Sequence, residues 1–111
     1  MLRTEFKKFV ERTNTDGSRK AVSYIRALDM LGPILAKHYP QAVVDGSIWH
    51  SFTQEEIMTL HRWICEETRA AKNGKTEVLN DFESKSYLLK NFCSAAVRAY
   101  QEFLAVTSNE N

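Results

Sequence analysis

Ala21–Leu31 reads AVSYIRALDML, and Ser94–Leu104 reads SAAVRAYQEFL. Both stretches put small residues, a Tyr, an Arg and closely spaced apolar residues within three turns, which is helical patterning. The first extends into a longer helix. Ser18 caps it, and Ala21, Tyr24, Ile25, Leu28, Leu31 and Leu35 form its apolar stripe. Gly32-Pro33 lies inside that stripe. Proline lacks a backbone donor and clashes with the preceding turn, so the sequence predicts a kink or break near Met30–Gly32. His38-Tyr39-Pro40 ends the element.

Upstream, Thr4 caps a helix running to about Arg12, with Phe6, Phe9 and Val10 on one face. Thr13–Gly17, TNTDG, is turn chemistry. Downstream, residues 41–52 read QAVVDGSIWHSF. There VV is strand-like, DG is a turn, and SIWH could make one helical turn. Thr53 and Glu56 form a capping box for a third helix. Ile57, Leu60, Ile64, Thr68 and Ala71 are its buried face, and Glu55, Arg62, Glu66 and Arg69 its solvated one. Asn73-Gly74 stops it. Lys75–Glu83 is a polar loop with Val78, Leu79 and Phe82 as apolar lids. A fourth helix is predicted from about Ser84 to Val106. Leu88, Phe92, Ala96, Ala99 and Phe103 line its buried side, with Tyr87 and Tyr100 at the edges. The fold class is therefore all-α, a small bundle of four main helices with room for one short extra helix.

The 111 residues suit a single domain, with 105–111 a polar tail or linker to the rest of a longer protein. Hydrophobic residues at 43% and charged residues at 26% are globular values and exclude a disordered segment. No run of about 18 apolar residues offers a membrane span. MLRTEFKKFVERT is too charged for a signal peptide. Cys65 and Cys93 are too few for a disulfide scaffold, so a reducing, cytoplasmic setting is expected. Net charge is only +1, but it is segregated. Residues 1–40 carry eight Lys/Arg and four Asp/Glu, a net +4; residues 41–83 carry four and eight, a net −4. A basic first third suits an anionic partner.

Catalytic chemistry finds no footing. His61 and Cys65 stand four apart on the third helix, as zinc ligands can. His38, His50 and Cys93 are scattered, and no C-x-x-C, H-x-x-x-H or HExxH spacing exists, so no metal or other cofactor is expected. Both cysteines sit near apolar helix faces, where a thiol is usually inert. Glu55-Glu56 and Glu66-Glu67 are adjacent pairs; neighbours on a helix diverge by about 100°, so neither pair converges on a substrate. Phosphate-binding glycine loops and nucleophile elbows are missing. Trp63 falls near the core stripe and is expected in the core; Trp49 is expected to plug one end of the bundle, the alternative being an exposed contact for a partner.

The basic residues say more. Arg19, Ser23 and Arg26 share one stripe of the second helix, with Lys20 at its N-terminus. Such a stripe suits phosphate contact, although amphipathic helices also carry solvated basic faces. Asn91, Ser94 and Arg98 make a weaker stripe on the fourth helix.

Two motifs carry a resemblance. Ser23-Tyr24, Ala27-Leu28 and Leu31 fit a "turn, S-Y-x-x-A-L-x-x-L" helix. Ser94, Ala95, Tyr100, Phe103 and Leu104 fit a closing "S-A-L-x-x-Y-x-x-F-L" helix, with one residue of slippage before the Tyr. Together they resemble the small helical N-terminal domain that precedes the nuclease domain in many bacterial HNH-type and other restriction endonucleases. Similar helices open the SAM-like core-binding domain of tyrosine recombinases. The likeness covers two helices, mostly at packing positions, and no nuclease motif is present. It implies a non-catalytic accessory domain that contacts double-stranded DNA weakly, through phosphates. Arg19, Lys20, Ser23, Arg26 and Arg98 are the candidate contacts. A C-terminal nuclease domain would be its partner in the same chain. The alternative is a protein-interaction or dimerisation module, with a homodimer as one form.

Overall fold

The computed structural model describes residues 2–13 and 17–109, without the side chains of 17, 18, 108 and 109. Of the expected turn at 13–17, Thr13 and Gly17 are helical, and residues 14–16 and the Ser18 side chain expected to cap the next helix lie outside what is described. The fold is all-α: α1 spans Leu2–Thr13, α2 Gly17–His38, α3 Gln54–Lys72, α4 Ser86–Leu89 and α5 Phe92–Asn109. Short 3-10 turns at Pro40–Ala42 and Val78–Asp81 complete it. None of these helices is long and apolar enough to cross a membrane. The α5 helix packs against α1, α2 and α3. Its residues Cys93, Ala96, Val97, Tyr100, Phe103 and Leu104 are buried at helical spacing.

Several elements differ from the sequence expectation; α1 begins at Leu2, so Thr4 lies inside it rather than capping it. α2 continues unbroken through Pro33. Pro33 and Asp29, whose carbonyl loses its helical partner, both lie on the exposed side, where water can take that carbonyl. The fourth helix is instead two helices. Asn91 takes the left-handed conformation (φ 66°) between α4 and α5, which shifts the phase of everything after it. Phe92 therefore leaves the core and lies exposed against Tyr87, with ring centroids 5.5 Å apart, while Cys93 is buried. Tyr100 moves from the expected edge to the centre. α5 also remains helical to Asn109, beyond the expected end at Val106.

The segment SIWH is not helical. Asp45 and Gly46 both have positive φ, and Val44 and Ser47 exchange backbone hydrogen bonds at 3.0 Å, a two-residue turn of the mirror-image type. This turn presses on α2: a Cβ at Gly32 would stand 2.9 Å from the Gly46 carbonyl oxygen. Gly32→Ala should gain about 1 kcal/mol of helix propensity and lose about 1–3 kcal/mol to overpacking against backbone. The expected net result is a lower urea midpoint; a raised midpoint would show that the turn yields freely.

The capping box forms as expected. Glu56 N–H donates to Thr53 Oγ1 (3.1 Å) and Thr53 N–H to Glu56 Oε1 (2.8 Å). Those bonds hold the Glu56 carboxyl below its ordinary 4.5. At the end of α2, His38 Nε2–H and Lys37 Nζ donate to Asp81 at 2.5 and 3.2 Å, holding that carboxyl below 3.8. Both carboxyls are depressed, so their stabilisation is complete above the ordinary values and is lost as pH falls through the lowered ones. Denaturation at about pH 6 and about pH 3 should show this loss, reduced in Glu56→Gln. An identical acid loss in that variant would remove the capping box from the effect.

Candidate functional site

Asp29 organises the surface where α1 meets α2. Arg3 clasps its carboxylate, Nη2–H to Oδ2 at 2.8 Å and Nε–H to both oxygens at 3.2 Å. Trp49 Nε1–H donates to Oδ1 at 2.8 Å. One carboxylate thus joins α1, α2 and the loop before α3. Trp49 packs its ring on Phe6 and Tyr100, centroids 5.8 and 5.4 Å away, so it closes the end of the core as expected. Trp63 is only half-buried and covers Tyr39 at 5.4 Å.

A groove of about 300 Å³ runs beside this clasp, lined by Arg3, Lys7, Val22, Ile25, Arg26 and Asp29. Among its described lining residues the single acid is the one already held by Arg3 and Trp49. Lys7 and Arg26 therefore leave the groove with a net positive charge of +2. Arg19 is exposed two turns along α2, about 10 Å from Arg26 along the helix axis. Lys20 is exposed beside it, and Ser23 is half-buried at the edge of the stripe. Sequence reading missed Lys7 and Arg3. Their i, i+4 spacing on α1 was the available signal, but only the α1–α2 packing brings them to the Arg26 face.

Arg98 does not join this surface. It lines a separate cleft with His61, Cys65, Asn91 and Ser94, and reaches Glu102 at 3.9 Å. His61 and Cys65 do meet there, Sγ lying 3.7 Å from Nε2. Burial, with the charge of Arg98, pushes the His61 pKa below 6.5 against the opposing Ser94 carbonyl, so the ring is neutral at pH 7. The other expected ligand candidates stand elsewhere. His38 holds Asp81, His50 Nε2–H donates to the Ala42 carbonyl at 2.9 Å, and Cys93 is buried in the core. Burial pushes the Cys93 thiol up to about 12, so it stays protonated and poorly nucleophilic. Among the described residues, no three His, Cys, Asp or Glu side chains gather where they could hold a metal ion.

No family model, curated protein or solved structure matches the chain.

Proposed function

We propose that this chain is a non-catalytic DNA-associating domain that contributes phosphate contacts to a restriction endonuclease and positions its nuclease domain. The observation that carries the DNA contact is the α1–α2 groove. Lys7 and Arg26 line it, Arg19 extends it, and its one carboxylate is already satisfied. Exposed guanidinium and ammonium groups in a row suit a polyanion, whose binding releases counterions. The link to an endonuclease rests on the resemblance of the Ser23–Leu31 and Ser94–Leu104 motifs. In this reading Lys7 joins Arg19 and Arg26 as the three phosphate contacts, Lys20 and Ser23 flank them, and Arg98 leaves the contact set. Titration of a fluorescently labelled duplex tests it. Saturable, salt-sensitive binding is expected at low ionic strength, and absence of binding there would remove the DNA role.

A second reading, a protein-interaction module, draws on a different groove, between α1 and the end of α5. Phe9, Phe103 and Val106 give it an apolar floor. The exposed large apolar residues Val22, Val44, Met58, Phe92 and Val106 are spread over α2, the turn at 44–47, α3 and both ends of α5. That spread favours the basic groove as the principal site.

A further inference from the structure

The cleft around Arg98 is broad and open to solvent. Its volume is about 620 Å³, within the usual range for small-molecule pockets. Ala95 and Ala99 of α5 leave its floor open, and Phe9 of α1 and Tyr24 of α2 contribute aromatic walls. Among the described residues one guanidinium, that of Arg98, stands at its rim. Arg98 reaches Glu102 only at 3.9 Å, and both side chains are more than 60% exposed, so that contact holds it weakly. The neighbouring His61 is neutral and half-buried, and Ser94 Oγ is spent donating to the Asn91 carbonyl at 3.1 Å.

We propose that this cleft binds a small organic carboxylate, its carboxyl group paired with Arg98 and its hydrocarbon part laid over Ala95 and Ala99 against Phe9 and Tyr24. A planar guanidinium matches a carboxylate in two parallel hydrogen bonds. Arg98 supplies one cation to pair with a monoanion; Glu102, 3.9 Å from it, opposes any anion and weighs twice against a phosphate dianion, so affinity rests on the fork pairing and the apolar floor together. The inference is independent of the DNA reading, because the basic groove uses Arg3 and Lys7 of α1 and this cleft uses Phe9, Val10 and Thr13.

Benzoate is the probe, with benzamide as its uncharged counterpart and inorganic phosphate as the apolar-free anion. Amide chemical shifts of the labelled protein are followed through each titration. Benzoate should give saturable shifts at Ser94, Ala95, Arg98 and Ala99 with a roughly millimolar Kd, as a ligand of this size allows. Benzamide and phosphate should bind about tenfold more weakly or less. Arg98→Gln should weaken benzoate about tenfold while leaving distant resonances in place, since Arg98 is exposed. Ala99→Leu keeps the charge and fills the floor, and should weaken it similarly. No saturable benzoate shift, benzamide binding equal to benzoate, or undiminished binding in Arg98→Gln would each overturn the proposal.

Discussion

Tyr100→Ala is expected to remove about 3–5 kcal/mol of stability, as truncation of a buried large aromatic does. Tyr100 is fully buried, and its ring meets Phe6, Phe52 and Phe103 at centroid distances of 5.5, 6.1 and 6.0 Å, besides Trp49. Its hydroxyl donates to the His50 carbonyl at 2.9 Å, which ties α5 to the loop before α3. Alanine would leave a cavity where helix and loop meet, and an unpartnered carbonyl beside it. Small domains hold about 5–15 kcal/mol in total, so this variant should sit near the edge of folding at 37 °C. Tyr100→Phe keeps the ring and loses the hydrogen bond, at a cost of about 1–3 kcal/mol. Chemical denaturation of both variants separates ring from hydroxyl. A Tyr100→Ala loss below about 1 kcal/mol would mean that the aromatic cluster is not the keystone of the core.

Local signals in the sequence carry most of the fold. T-x-x-E marks the start of α3, Asn73-Gly74 marks its end, and Asp45-Gly46 marks a tight turn, because each is a backbone rule written in two to four residues. The break at Asn91 was not legible in this way. Asparagine tolerates the left-handed conformation but also sits inside helices, so nothing in KNFCSAA announces the phase shift. Once Asn91 sets the phase, Cys93, Ala96, Val97, Tyr100, Phe103 and Leu104 form a cleaner buried stripe than the one containing Phe92. Pro33 misled for a related reason: what a proline does to a helix depends on whether its orphaned carbonyl faces water, which is a tertiary property. The basic face was half legible. Arg19 and Arg26 share a stripe on one helix, but Lys7 and the Arg3–Asp29–Trp49 clasp depend on α1 lying beside α2. Arg98, on the weaker stripe of the closing helix, belongs to another cleft.

Reversing both arginines, Arg19→Glu with Arg26→Glu, should leave the fold intact and remove DNA association. Both side chains are exposed, neither has an ion-pair partner among the described residues, and surface changes of this kind shift stability by about 0.5 kcal/mol or less. Three phosphate contacts, from Lys7, Arg19 and Arg26, imply a slope of log affinity on log salt near −2.7, taking about −0.9 for each phosphate neutralised. Between about 50 and 200 mM salt the wild-type affinity should then fall roughly 40-fold. Losing two of the three contacts should weaken binding roughly 100-fold at about 50 mM, and the added carboxylates oppose the duplex further. The Lys7→Ala variant should show an intermediate slope near −1.8.

The most direct measurement is therefore the salt dependence of duplex affinity for wild type and the Arg19→Glu/Arg26→Glu variant, read by fluorescence anisotropy at several salt concentrations. A slope near −2.7 for wild type, with no measurable binding by the variant, is the expected result. Equal affinities and equal slopes for the two proteins would contradict a DNA-contacting role for the α1–α2 face.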